Sequence, residues 1–221
     1  MNKISSSDIF KKGYLALGVL TAVGLIGYGL SYIIVMPNVS PDGFVPHTIE
    51  LSNGTPSGFG PLLALFILLY AFTFLPVEVM FTVKKYNTNP YALVLACCLI
   101  SISLVIEIIN NLPVVALWIY PGKFESISLD VQLYLRQVET IRYLSYDVAG
   151  FTLAYVAFFI YGIVYFRLHR LLSYTIMVSI ITFIVNVPCL WFAPKLAVIL
   201  MAISIFAFAL VPIFLVRMAI E

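Results

Sequence analysis

Long apolar stretches with almost no charged residue constrain this chain more than any other feature. Six of them, each of about 21 to 23 residues, follow one another along the sequence, and about 20 residues of α-helix cross a hydrocarbon core of ~30 Å. The composition agrees, since 62% of the residues are hydrophobic and 10% are charged, whereas soluble domains are about a quarter charged. The sequence therefore predicts an all-α, polytopic membrane protein and excludes an ordinary soluble domain.

The six predicted transmembrane helices form a single domain, because no linker or low-complexity segment divides them. The third can continue to Tyr120 with a kink at Pro113. The first follows a basic segment but is longer than the apolar core of a signal peptide, which favours a retained signal anchor. The predicted helices span residues 14–36, 62–83, 91–112, 143–165, 172–192 and 196–216.

The orientation follows from the distribution of lysine and arginine, which favour the cytoplasmic side. Eight of these residues lie at the two termini and in the 2–3 and 4–5 loops, and four lie on the opposite side. Both termini are therefore predicted to be cytoplasmic, in a protein of the cell membrane. The eight are Lys3, Lys11, Lys12, Lys84, Lys85, Arg167, Arg170 and Arg217, and the four are Lys123, Arg136, Arg142 and Lys195.

The predicted outer loop between helices 3 and 4 carries an amphipathic pattern. Apolar residues recur at helical spacing from Val131 to Ile141, while Gln132, Arg136 and Glu139 fall on roughly the opposite side. We expect an extra helix on the outer surface that rests at the level of the lipid headgroups.

Helix 3 carries polar residues that need an explanation, because ionisable groups inside a bilayer are costly. Glu107 lies about 16 residues from the cytoplasmic start of the helix, or ~24 Å along it. Asn110 and Asn111 follow at i+3 and i+4, so one carboxyl and two amides share one face. The spacing predicts a polar stripe in the outer half of the membrane.

Two further polar residues fall at overlapping depths on other helices. Asp147 lies four residues into helix 4, and Asn186 lies about 14 residues along helix 5. Arg136 and Arg142 lie close above and could supply counter-charge. Together with Glu107, Asn110 and Asn111, these residues predict an outward-facing polar pocket between helices 3, 4 and 5. The alternative is an interhelical hydrogen-bond network that only holds the bundle together.

Other polar residues carry weaker signals. Glu78 lies near the predicted cytoplasmic interface, where it can reach headgroups or a basic neighbour, so a structural role is favoured. His47 and His169 are predicted to lie on opposite sides of the membrane and cannot share a metal. The three cysteines lie in apolar runs, where thiols act as small hydrophobic groups. We therefore predict no metal site and no cofactor.

The segment VMFTVKKYNTNPYALVLACCLISISLVIEIINN follows the first two predicted helices. With its short basic turn at Lys84 and Lys85 and the glutamate at Glu107 in the next helix, it resembles small six-helix prokaryotic integral membrane proteins of unknown function. The resemblance extends over most of the chain and rests on hydropathy. It implies a fold and a topology, and it assigns no role to any residue.

Three functional classes remain open at this level. The first is a protein that binds or transports a small ligand through the predicted pocket. The second is an accessory or assembly subunit with a membrane protein partner. The third is an intramembrane enzyme acting on a lipid, with Glu107 and Asp147 as an acid/base pair. The net charge of +2 is too balanced to favour a nucleic acid partner, and the lipid bilayer is the expected environment in all three cases.

Overall fold

The computed structural model describes residues 6–35, 59–119 and 149–220 of the chain. Over these residues the protein is all-α, with short turns between helices and no strand. In chain order the helices are α1 (Ser6–Val35), α2 (Phe59–Lys85), α3 (Pro90–Ile119), α4 (Ala149–Val164 in its described part), α5 (Arg170–Phe192) and α6 (Pro194–Ile220).

Four of these helices are long and apolar enough to cross a membrane, at Phe10–Leu30, Ala64–Lys85, Pro90–Pro113 and Lys195–Ile220. Two further apolar helical stretches, Ala149–Val164 and Arg170–Asn186, are shorter over the described residues. The predicted continuation of the third helix is confirmed, because α3 runs through Pro113 to Ile119. The predicted amphipathic helix between helices 3 and 4 lies outside the described residues.

Apolar side chains form the outer surface of the described helices as well as the core. Large apolar side chains such as Val83, Ile163 and Ile184 are more than 60% exposed. Some glutamate, asparagine, serine and threonine side chains are buried inside the bundle, beside its hydrophobic core. An apolar surface of this extent requires an apolar environment, and the described helices therefore suit a lipid bilayer.

Helix α4 contacts several other helices through an aromatic core. The Phe158 ring of α4 lies 5.9 Å from Phe74 of α2 and 4.5 Å from Phe208 of α6, measured between ring centroids. The Ser173 hydroxyl of α5 donates a hydrogen bond to the Gly162 carbonyl of α4. Elsewhere α1 packs against α2 and α6, α2 against α3 and α6, and α5 against α6.

Three contacts bring basic residues of several helices to one end of the bundle. The ring of Phe81, near the end of α2, lies 5.7 Å from Tyr165, just after α4. The Tyr14 hydroxyl, near the start of α1, donates to the Val77 carbonyl of α2, and Gly18 of α1 packs against Val216 of α6. We call this end, which carries Lys11, Lys12, Lys84, Lys85, Arg167, Arg170 and Arg217, the basic end.

Candidate ligand site in the bundle interior

The polar stripe predicted on α3 faces the interior of the bundle. The side chains of Glu107, Asn110 and Asn111 are 2%, 0% and 1% exposed. The other side of α3 is apolar and about half exposed, with Ile102, Val105, Ile109 and Leu112 along it. Because the i, i+3, i+4 spacing puts the three polar residues on one face of the helix, the lipid-compatible face and the polar face of α3 are cleanly separated.

The carboxyl of the α3 stripe lies against the backbone of α4 at Gly150. The Ser103 hydroxyl donates to the Gly150 carbonyl over 2.7 Å. A methyl group at Gly150 would lie 2.5 Å from Oε1 of Glu107 and 3.3 Å from its Cδ. Only a residue without a side chain lets the α4 backbone approach this carboxyl so closely. We call Glu107, Asn110, Asn111 and Gly150 the Glu107 cluster.

Asn111 forms hydrogen bonds within the Glu107 cluster through its amide nitrogen. Its amide nitrogen donates to the backbone carbonyl of Glu107 over 2.9 Å and to carboxyl Oε2 over 3.3 Å. Its amide oxygen is buried and has no hydrogen-bond partner among the described residues. A buried polar atom of this kind costs free energy unless something donates to it. The cluster therefore presents an acceptor that can receive a hydrogen bond from a ligand.

Asn186 of α5 is also buried, at 2% exposed. Its amide nitrogen lies 3.9 Å from the sulfur of Met201, so the side chain has a contact with α6, along which α5 packs. Its predicted grouping with Glu107 stays a prediction. Asp147, Arg136 and Arg142, the remaining predicted site residues, lie outside the described residues.

Glu78 carries a second buried carboxyl, and its contact in the structure differs from the contacts that the sequence indicates. Glu78 is 0% exposed and faces the bundle interior, where the Tyr161 hydroxyl of α4 donates to its Oε1. The sequence alone favours a structural role for Glu78 in contact with headgroups or a basic neighbour, because Glu78 lies close to Lys84. No local pattern could have identified Tyr161, which is 83 residues away. We call Glu78, Thr82, Tyr161 and Tyr165 the Glu78 cluster.

A third polar contact joins α4, α5 and α6. The hydroxyls of Tyr155 and Ser204 lie 2.7 Å apart, and the Ser179 hydroxyl donates to the Ser204 carbonyl over 2.9 Å. Small hydroxyl side chains of this kind commonly join transmembrane helices. Unlike the two glutamate clusters, this contact leaves none of its side-chain oxygens without a hydrogen bond.

Metal-binding chemistry finds little support in the described parts of the chain. They contain no group of three or more histidine, cysteine, aspartate or glutamate residues that could hold a metal ion. Cys97, Cys98 and Cys189 are free thiols.

The chain matches no protein-family model, no curated protein and no solved structure.

Proposed function

We propose that the chain is a cell-membrane protein of six transmembrane helices with both termini in the cytoplasm. The basic end supports this topology, because lysine and arginine from α1, α2, α6 and the turn after α4 collect there, while Lys195 lies at the opposite end of α6. Such an asymmetry is what the positive-inside rule requires. Helices α4 and α5 complete the six, since both are apolar and both pack within the bundle.

We further propose that the protein binds or transports a small ligand through an outward-facing polar site between α3, α4 and α5. The site would comprise Glu107, Asn110, Asn111, Asp147 and Asn186, with Arg136 and Arg142 above. The observation that carries this proposal is the Glu107 cluster, in which a carboxyl and two amides on one face of α3 are buried and the carboxyl lies against Gly150 of α4.

The chemistry of the cluster favours a ligand that donates hydrogen bonds. Carboxyl and amide oxygens are acceptors, and the Asn111 oxygen has no partner among the described residues. A small ligand with ammonium or hydroxyl groups would satisfy this acceptor and the carboxyl together. The cluster also lies toward the end of the bundle opposite the basic end, because Gly150 lies near the start of described α4 and Tyr165 follows its end.

Native mass spectrometry of the protein released from a mild detergent tests this proposal. We expect a reproducible small-molecule mass on the wild-type protein that is lost in Glu107→Gln. Tyr155→Phe is the matched control, because it removes a buried polar atom from the α4–α6 contact and leaves the Glu107 cluster intact. The control should keep the bound mass. Equal loss in both variants, or no bound mass on the wild type, would contradict a ligand site.

An accessory or assembly subunit is the second candidate. It is favoured by the contacts that the Glu107 cluster makes within the protein, since Ser103 bonds to Gly150 across the α3–α4 contact and Asn111 bonds to Glu107 on its own helix. If these contacts only hold helices together, Glu107→Gln lowers the free energy of unfolding and removes no ligand. A protein chain that copurifies in the same mass spectra would favour this candidate.

A further inference from the structure

The Glu78 cluster has features that helix packing alone does not require. Glu78 is 0% exposed, and its Oε1 accepts a hydrogen bond from Tyr161. Its second oxygen, Oε2, has no hydrogen-bond partner among the described residues. A buried, unpartnered carboxyl oxygen in a native protein indicates a bound proton, water or ion at that atom.

Polar side chains continue from Glu78 toward the basic end. Thr82 follows Glu78 at i+4 on α2, and Tyr165 follows Tyr161 at i+4, so each pair shares a helix face. The Phe81 ring contacts both tyrosines, at centroid distances of 5.6 and 5.7 Å, which places the two faces side by side. Thr82 and Tyr165 are 8% and 2% exposed.

A partly exposed histidine, His169, lies next to Tyr165 at the basic end. The His169 ring lies 6.1 Å from the Tyr165 ring, and His169 is partly exposed in the turn before α5. Among the described residues, the Thr82 hydroxyl lies close to the Cys97 thiol and the Tyr165 hydroxyl lies close to Thr88. Neither hydroxyl forms a hydrogen bond of normal geometry there. Each hydroxyl can therefore accept a proton from one neighbouring group and donate a proton to another.

Besides Tyr161, four titratable groups among the described residues lie within electrostatic range of Glu78. They are the Tyr14 hydroxyl of α1, the Cys97 thiol of α3 and the Tyr165 hydroxyl beside α4, together with Tyr70 on α2 itself. On α6, Arg217 follows Val216, which packs against Gly18 of α1. Lys84 and Lys85 lie further along α2, beyond Thr82. None of the four nearby groups is a cation, and the surrounding rings of Phe81 and Phe158 cannot replace the hydration shell of a metal ion.

We propose that Glu78 is a proton-binding site and that Thr82, Tyr165 and His169 form the route by which its proton exchanges with the aqueous phase at the basic end. A proton neutralises a carboxyl that would otherwise be a buried charge in an apolar bundle. Intramembrane carboxyls linked to histidine are common elements of proton relays. This proposal does not depend on the ligand site at Glu107.

Infrared spectroscopy of the full chain in lipid nanodiscs tests the bound proton. We expect a carbonyl stretch of a protonated carboxyl at neutral pH that is absent in Glu78→Gln. On transfer to heavy water this band shifts as deuterium replaces the proton, which gives an exchange rate. A wild-type spectrum in which Glu78→Gln removes no such band would overturn the proposal.

The route is tested by the exchange rate in three further variants. The double variant Thr82→Val with Tyr165→Phe should exchange about tenfold more slowly, because two hydroxyl steps are lost. Its matched control is Thr175→Val with Tyr174→Phe, the same pair of changes on α5, where Tyr174 is 55% exposed and Thr175 bonds to its own helix.

His169→Gln alters only a partly exposed turn residue, so it tests the route even if the buried double variant fails to fold. Like the double variant, His169→Gln should slow the exchange of the Glu78 proton for deuterium. Unchanged exchange in His169→Gln, or equal rates in the double variant and its α5 control, would show that the proton of Glu78 does not travel by this route.

Discussion

Glu107 and Glu78, the two glutamates within the described residues, are both buried but have very different surroundings. Glu107 shares its helix face with two amides and lies against the backbone of α4 at Gly150. Glu78 accepts one hydrogen bond, from the Tyr161 hydroxyl, and lies among aromatic rings. Along α4, Gly150 beside Glu107 and Tyr161 beside Glu78 are 11 positions apart, or ~16 Å. The first region therefore holds a carboxyl and two amides together, whereas the second holds a carboxyl with one hydrogen-bonded hydroxyl among aromatic rings.

Tyr161→Phe gives the largest expected effect, because it leaves the Glu78 carboxyl without its hydroxyl donor. An unsatisfied buried polar group costs about 1–3 kcal/mol of unfolding free energy, measured by denaturant unfolding in mixed micelles. Tyr174→Phe, at an exposed position of α5, should change the free energy little.

The double variant Tyr161→Phe with Glu78→Met separates a lost hydrogen bond from a loss of packing. Replacing both partners with apolar groups removes the unsatisfied carboxyl, so most of the lost stability should return. If the double variant is no more stable than Tyr161→Phe alone, the hydroxyl does not stabilise the bundle through Glu78.

Gly150→Ala tests the corresponding contact in the Glu107 cluster. The added methyl group would lie 2.5 Å from Oε1 of Glu107, and overpacking of this kind costs about 1–3 kcal/mol. The expected loss is toward the lower end, because the carboxyl can move within the cluster. Thermal unfolding in nanodiscs measures it.

Gly162→Ala is the control for that change, since its methyl group would lie 3.4 Å from Ile176 Cγ2 in an ordinary contact. Alanine is also favoured over glycine within a helix. The stability of Gly162→Ala should therefore hold or rise. A similar loss at both glycines would mean that Gly150 is not a special approach to the carboxyl.

Ser103→Ala should lower the free energy of unfolding less than Tyr161→Phe or Gly150→Ala. It removes the hydrogen bond from Ser103 to the Gly150 carbonyl, and interhelical hydrogen bonds in membranes average about 0.6 kcal/mol. The same unfolding assay applies. Thr175→Val, which removes a hydroxyl bonded within its own helix, provides the comparison. A larger loss at Thr175 than at Ser103 would contradict the α3–α4 contact.

The helices were predictable because hydropathy is a local property of the chain. The predicted helix 2 at 62–83 falls within α2 at Phe59–Lys85, and the predicted helix 5 at 172–192 falls within α5 at Arg170–Phe192. The buried face of α3 was predictable for the same reason, since the spacing of Glu107, Asn110 and Asn111 determines their common direction.

Contacts between distant helices were not predictable from these patterns. A predicted depth, such as that of Glu78 near the cytoplasmic interface, does not say which way a side chain points around its helix. The contact of the Asn186 amide with Met201 of α6 likewise has no signal in the sequence, and the grouping of Asn186 with Glu107 stays a prediction. A single sequence contains no signal that pairs Glu78 with Tyr161.

Cysteine accessibility tests whether the Glu107 cluster opens to the outer face to receive a ligand, as we propose. Asn110, which is 0% exposed, is changed to cysteine (Asn110→Cys) after Cys97, Cys98 and Cys189 are replaced by alanine. A membrane-impermeant maleimide is then added outside sealed, right-side-out vesicles. Thr88→Cys, in the turn at the basic end, controls for leakage, and Ser204→Cys controls for a buried position outside the cluster.

A site that opens outward predicts that Asn110→Cys is labelled from outside while both controls stay unlabelled. A folded Asn110→Cys protein that is never labelled from outside, like Ser204→Cys, would contradict the claim and leave the Glu107 cluster as a contact that only holds α3 and α4 together.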